Sequence, residues 1–551
     1  MSNSAATPEP PASRSGGGAA SQQAGSGLGL ALSGGGVRAA LFSLGVIVGL
    51  IQTGCHWRVR CIASVSGGSI LNAALAHTPA LSRYADVEAF EGVASRLAGS
   101  LAWTGVFAFG WRFVGAGIWL VARLVWRSFF PVVFGVAFLA DQLRESGSFD
   151  VRKIDWGAMP WDWVAYFVLA VFVVTILFSR GLLQEAAYRS ILHQVAGHGK
   201  PLYLRDWGTA AGADEASAAG ADEASTAGAD GASSTGADGG AEDARVMHVL
   251  VATDLLSGEP IYFSSRFVYC RPYGWSPPGD LRTPEALYSS AAFPGVFPPK
   301  RIRLRPLPKP WGYFRRRPTL DFRNGDLPGE LPPRVELVDG GVYNNLGYDW
   351  FGVLRQEEGP PPPGGPTGPE PEPPIWPYGE LDVGDPPQID EYIVVNAGAP
   401  SRSVRRVRFL PLARIISVLY DNTVRPRVEA MRETRRPLID IKESPLEFAR
   451  RLEDELGESG GKPARDLAER LDTRSRKPDS RKDRFWEDFS RDTAGTKTKL
   501  SPAGRRTGAR LMLHGYLSTL VMVHSRFGAA LPKRILGEEY FLELVDGDRS
   551  G

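Results

Sequence analysis

The chain has 551 residues, 43% hydrophobic and 23% charged, a composition that excludes a wholly disordered or fibrous protein and supports a sizeable core. Its net charge of +2 excludes any argument about partners from global charge. Three cysteines, Cys55, Cys61 and Cys270, exclude a disulfide framework, show no metal-ligand spacing and point to a reducing compartment.

Residues 1–26 are rich in Ser, Ala, Pro and Gly and lack a basic segment leading into an apolar run, so they read as a disordered tail rather than a signal peptide. Order is expected from Leu28. Leu28–Leu32 reads as a short buried strand, broken by Gly34-Gly35-Gly36, and Val37–Ile51 as a helix apolar on most faces. A second strand is expected over Val59–Ala63. It stops at Ser64-Val65-Ser66-Gly67-Gly68, with Ile70–Ala76 helical beyond. Strand, tight turn and helix therefore occur twice, which predicts an α/β fold with a parallel sheet covered by helices.

Residues 86–182 break this pattern. Trp103–Ala122, Phe129–Ala140 and Trp163–Phe178 are apolar and aromatic, and the last carries no charge. Its length approaches what a thin hydrocarbon layer requires. Pro160, Trp161, Trp163 and Arg180 flank it as interfacial anchors do. Arg112, Arg123 and Arg127 fall within roughly 60° of one another on a helix, a stripe suited to an interface or to a protein-facing surface. The segment is expected to be a helical membrane-associated insert, with 117–140 paired to 161–180 so that the crossings are even in number. The alternative is a set of buried core helices. The slightly acidic loop between those two stretches is compatible with a cytoplasmic catalytic domain.

Downstream, residues 209–244 repeat Ala-Gly-Ala-Asp, an acidic low-complexity loop with nothing to bury. Residues 355–389 form a Pro/Gly-rich insert and 432–508 a charged insert, part of it read as a solvated helical hairpin over Leu446–Leu456 and Ala464–Leu471 and part as disorder. The catalytic domain is then expected in parts: 27–85, a helical part at 183–208, 245–354, 390–431, and 509–551 with its C-terminal helix and tail.

Three constellations carry chemistry. In Ser64-Val65-Ser66-Gly67-Gly68, a serine sits between a strand and a helix, and the small residues Ser64 and Gly68 on either side permit the sharp turn a nucleophile needs. Ser64 stands where the usual G-x-S-x-G pattern has glycine. In Gly34-Gly35-Gly36-Val37-Arg38, a glycine run at a helix N-terminus can aim amides at a developing oxyanion. Gly34, Gly36 and Ala39 also fit a dinucleotide-binding pattern, but the region where that fold needs an acid holds His56, Arg58 and Arg60. In Val338-Asp339-Gly340-Gly341-Val342-Tyr343-Asn344-Asn345, an aspartate at a strand end precedes a turn that can present it into a cleft. Each could be an ordinary turn if it stood alone.

Together, in the order G-G-G-x-R, S-x-G and D-G-G, they resemble the patatin-like phospholipases. Thr253-Asp254 to Glu259-Pro260 is similar to that family's T-D-x-x-x-G-x-P stretch. Ser289-Ser290-Ala291-Ala292-Phe293-Pro294-Gly295-Val296-Phe297-Pro298-Pro299 is similar to its S-A-x-P-x-x-F-P-P segment. The resemblance implies a three-layer α/β/α patatin-like fold and a Ser-Asp dyad, with Ser66 as nucleophile and Asp339 as base. It also implies an oxyanion loop of Gly34, Gly35, Gly36 and Arg38. Ser64, Gly67, Gly68, Gly340, Gly341 and Asn344 would support the turns, and Asn345 would help to order the one after Asp339. The implied activity is cleavage of carboxyl esters of membrane lipids, of phospholipase A or lysophospholipase type, with no cofactor and no metal.

Two alternatives stay open. One is a membrane-bound, non-catalytic lipid-binding protein of the same fold. The other is a Ser-Asp-His triad esterase using His514 or His524, both within an apolar helix-like run over Leu511–Phe527; His248, read as preceding a strand, is given no role. A basic stretch interleaved with aromatics runs from Lys300 through Arg305 and Lys309 to Arg315-Arg316-Arg317, and suits an anionic lipid surface better than nucleic acid, since no nucleic-acid module surrounds it.

Overall fold

A computed structural model describes residues 27–106, 184–196, 201–207, 246–304, 319–326, 330–355, 385–398, 411–473, 481–498 and 500–547. The disordered tail, the acidic loop, most of the apolar insert, most of the Pro/Gly-rich insert and residues 305–318 of the basic stretch lie outside these residues.

The two expected strand–helix units form as read. Strand β1 (Leu28–Leu32) leads through the glycine run to α1 (Val37–Gln52), and β2 (Val59–Val65) leads to α2 (Gly67–Leu75). The second strand is longer than expected and its helix begins earlier, so that Ser66 is the single residue between them. Strand β3 (Met247–Asp254) lies beside β2, and the parallel set is completed by β9 (Glu391–Asn396) and β10 (Leu438–Asp440) on the far side of β1. Beyond β3 the sheet turns antiparallel through β4 (Pro260–Phe263), β5 (Val268–Cys270) and β6 (Gly274–Ser276).

The strand side chains alternate between two cores, as the period of two requires. Leu30, Leu32, Ile62, Leu250, Ala252, Ile393 and Val395 belong to one. Ala31, Ala63, Val65, Val249, Val251, Tyr392 and Val394 belong to the other. The first is covered by α1 and a helix over Arg505–Phe527, the second by helices over Asp349–Arg355 and Pro411–Glu433, whose Trp350, Phe351, Val424, Val428 and Met431 are buried there. A sheet buried on both faces explains why its strands read as continuous apolar runs.

Two boundaries drawn from composition need correction. Within 432–508, the segment read as a charged insert, β10 extends the sheet and a helix over Pro445–Thr473, broken at Gly457, packs on the 505–527 helix. Its first turns are amphipathic, with Leu446, Phe448, Ala449 and Leu452 buried beneath the charged residues between them. Within 86–182, the helix Val87–Gly99 is core, burying Phe90 and Leu97 against α1 and a C-terminal helix over Glu538–Asp546. Among the described residues no helix is long and apolar enough to cross a membrane. His248 lies inside β3 rather than before it.

The α1 and 505–527 helices approach backbone to backbone. A Cβ at Gly45 would strike the Met512 carbonyl, and one at Gly515 would strike the Phe42 carbonyl. Side chains there have no room, so Gly515→Leu is expected to lower stability by about 1–3 kcal/mol or more in a denaturant titration. A variant as stable as the parent would contradict this crossing.

Candidate active site

Strand β3 brings the site together. On one edge, β2 runs parallel to it, ending with Val65 opposite Val251. On that same edge β8 (Arg334–Asp339) runs antiparallel, ending with Asp339 opposite Ala252. The two strands run toward each other and stop at adjacent rungs, so their last residues meet. Ser66 and Asp339, 273 positions apart in sequence, are juxtaposed by main-chain pairing alone.

A strap then locks both turns. The strap follows a helix over Thr283–Ser290, and the Ser290 carbonyl accepts from the Ser66 amide (3.1 Å) and from the Gly340 amide (3.2 Å). Ala292 accepts from the Asp339 amide (3.1 Å). Ser66 holds φ 50° and ψ −113°, a left-handed conformation costly for a non-glycine residue, and these bonds sustain it. The turn also needs Gly67, because a Cβ there would collide with the Gly36 backbone of the neighbouring loop.

Beneath Ser66 lies a buried polar floor. Ser290 Oγ donates to the Val251 carbonyl (2.7 Å) and pairs with Ser69 Oγ (2.8 Å), which pairs with Ser64 Oγ (3.0 Å). Asn72 Nδ2 donates to Ser64 Oγ (2.8 Å), and Asn72 Oδ1 accepts from His248 Nδ1 (2.7 Å). Burial pushes His248 down to about 3, so its ring is neutral and serves as a donor in this floor.

Asp339 is buried, with only 1% of its surface exposed. Its Oδ1 accepts from the Gly341 amide (2.8 Å), and the hydroxyls of Ser66 and Tyr420 also act on the carboxylate. Burial is the largest influence and raises its pKa to about 6, while the Gly341, Ser66 and Tyr420 donors oppose the rise. Asn344 fixes the following turn, accepting from the Leu346 amide (3.0 Å) and donating to Asp349 (2.7 Å).

The glycine loop lies against the same point. Asn345 links it to the Asp339 turn, its carbonyl accepting from the Gly34 amide (3.0 Å). The Gly34 amide is thereby committed. Among the described residues, the Gly35 and Gly36 amides donate to no backbone carbonyl, and they sit at the N-terminus of α1, where the helix dipole favours negative charge. Arg38 is placed differently from what the resemblance implied. Its side chain is buried, Nε donating to the Ala397 carbonyl (2.9 Å) and Nη1 to the Thr496 carbonyl (2.6 Å). It braces the loop through the C-terminal part of the chain.

Neither candidate histidine joins this group. His514 is buried with Nδ1 on Thr493 Oγ1 (2.7 Å) and Nε2 on the Glu443 carbonyl (2.9 Å), and His524 Nδ1 meets the Ala529 carbonyl (2.7 Å). Burial lowers His514 to about 4. Sequence reading missed five participants, Ser69, Asn72, His248, Ser290 and Tyr420. Ser290 lies inside the 289–299 motif, but nothing local sets it apart from its neighbours. Asn72 stands out only as a lone amide in an apolar helix. Tyr420 carries no local signal at all.

An ionised carboxylate held at about 6 in a dry site costs stability. That contribution is absent below the unfolded pKa near 4 and grows as pH rises through 6. Replacing Asp339 by Asn is therefore expected to stabilise the protein relative to the parent by about 1–3 kcal/mol more at pH 8 than at pH 4. Denaturant titrations at the two pH values measure this, and a pH-independent difference would contradict the assigned environment.

A family model described as Patatin-like phospholipase matches residues 30–349. No curated protein matches the chain. The matched span takes in the glycine loop, Ser66, the Ser290 strap and Asp339, more than half of the sequence, and the chain thus belongs to the patatin-like phospholipase family of lipid acyl-hydrolases.

Proposed function

We propose that Ser66 and Asp339 form a catalytic dyad that cleaves carboxyl esters of membrane lipids, in the manner of a phospholipase A or lysophospholipase. One observation carries this reading: the ends of β2 and β8 bring Ser66 beside a buried carboxylate whose pKa of about 6 suits it to accept a proton near neutrality. Asp339 takes the Ser66 proton as Oγ bonds to the ester carbonyl carbon. The oxyanion is received by the Gly35 and Gly36 amides, each such donor contributing about 3–4 kcal/mol to the transition state. Collapse expels the alcohol, which takes the proton back from Asp339. Water then attacks the acyl-Ser66, giving up its proton to Asp339, and the fatty acid leaves as Ser66 is reprotonated. The engagement of His514 and His524 elsewhere supports a dyad over a triad.

A fluorophosphonate probe is expected to label Ser66 in the folded parent and not in Ser66→Ala. Asp339→Asn is expected to lower kcat/KM on lipid esters by roughly 10²–10⁴-fold. The acid limb of the parent's kcat/KM profile should fall near pH 6, because a protonated Asp339 cannot accept. Absence of labelling in folded protein would favour the non-catalytic lipid-binding alternative.

We further propose that the enzyme works at a membrane surface with its catalytic domain on the cytoplasmic side. The apolar sequence of 107–183 supports this, as do the exposed Val296, Val342, Val418 and Leu419 on segments bordering Asp339. The basic stretch contributes less than its sequence suggested. Lys300 is mostly buried and pairs with Glu185 (2.7 Å) and Glu285 (3.1 Å), and Arg301 pairs with Glu336 (3.0 Å), which leaves Arg305 to Arg317 as candidates for anionic headgroups. Reversing Arg305, Lys309, Arg315, Arg316 and Arg317 is expected to weaken flotation with anionic liposomes, by about 1 kcal/mol per residue near the surface. Unchanged flotation would remove this stretch from membrane contact.

A further inference from the structure

Tyr420 lies outside the span matched by the family, on the 411–433 helix, yet it reaches the turn that presents Asp339. A Cβ on Gly341 would run into Tyr420 Cε1, so glycine at 341 is what admits the ring. The ring also rests on Phe293 of the strap, with centroids 5.6 Å apart. Its hydroxyl is buried and bears on the Asp339 carboxylate, but stands short of a fully formed hydrogen bond and has no other partner among the described residues. A buried, unpaired phenol is costly and calls for an explanation.

The catalytic cycle supplies one. In the resting site the Gly341 amide donates to Asp339, and the hydroxyls of Ser66 and Tyr420 both bear on the carboxylate. Once Ser66 is acylated its proton is gone, and one of the two hydroxyls is lost to the buried carboxylate. Asp339 must then stay ionised and oriented to take a proton from the deacylating water. Among the described residues, the side-chain donor that still bears on it is Tyr420.

We propose that Tyr420 is a positioning residue for deacylation, its hydroxyl closing onto Asp339 when acylated Ser66 can no longer donate. This rests on the dyad reading above. The phenol keeps its own proton throughout: water gives a proton to Asp339, the water oxygen bonds to the acyl carbon, and the bond from that carbon to Ser66 Oγ breaks, with Asp339 returning the proton to Oγ. The other groups around Asp339 do not supply such a donor. Tyr188 of the 184–196 helix acts on it only at longer range, its hydroxyl oxygen accepting from Gln184 Nε2 (2.9 Å), and Tyr288 of the 283–290 helix donates to the Pro298 carbonyl (2.6 Å). Asp349 is paired with Asn344, and Arg427, the cation further along the Tyr420 helix, acts on Asp349.

The test is Tyr420→Phe, which keeps the ring contacts and should keep the fold, as a thermal melt will verify. With a p-nitrophenyl fatty ester as probe, stopped-flow measurement is expected to show the acylation burst retained and the steady-state rate reduced roughly 10-fold, the size expected for one lost bond to a charged group. The acid limb of kcat should move to higher pH, because losing a donor disfavours the carboxylate. Unchanged burst, steady-state rate and pH limb would overturn the proposal. So would burst and turnover falling together with the limb unmoved, the mark of a merely structural role. Fluorophosphonate labelling of Ser66 separates the two levels. If the parent is not labelled, the dyad reading fails and this proposal with it; if it is, the kinetics of the variant judge Tyr420 alone.

Discussion

The site depends on a single piece of main-chain geometry, the use of one edge of β3 by two strands that approach from opposite directions. Parallel β2 fills the edge as far as Val251, and antiparallel β8 takes over at Ala252. Where two strands end head to head, no ladder hydrogen bond joins them, and the gap must be closed by something else. The Ser290 carbonyl closes it, accepting from both turns at once. Backbone pairing of this kind is far less tolerant of displacement than contact between long side chains, which suits reacting atoms that must be held within about 0.5 Å.

Electrostatics around the pair divide into two zones. The floor of Ser64, Ser69, Asn72, His248 and Ser290 is polar but uncharged, and its members satisfy one another. A satisfied neutral network gives rigidity without a strong field. The carboxylate above it is the charged exception. Its neighbours are amides and hydroxyls rather than cations, so burial outweighs them and the pKa stays near 6, as the proposed role of base requires. An arginine beside Asp339 would have pulled that pKa down.

Much of this was legible in the sequence, because the decisive segments are local and use unusual residues. The glycine run, Ser66 between strand and helix, and Asp339 before two glycines each mark a chain reversal that ordinary side chains resist. Apolar runs of strand length revealed two of the parallel strands, β1 and β2. What stayed hidden is what depends on distant pairing. Charge density in 432–508 masked β10, whose three residues are too short to show a period. Lys300 looked like a surface cation because its partners Glu185 and Glu285 come from elsewhere in the chain. Tyr420 is one aromatic residue on a helix of mixed polarity, and only the fold brings it to Asp339. Arg38 was assigned to the right loop, but no local feature tells which way a guanidinium turns.

The direction of Arg38 has a consequence for how the enzyme comes into being. Its two anchors, Ala397 and Thr496, are made hundreds of residues after the glycine loop they steady. During synthesis the serine elbow emerges early, but this brace on the glycine loop can close only after Thr496 has been made, so the loop reaches its final support late in the growth of the chain.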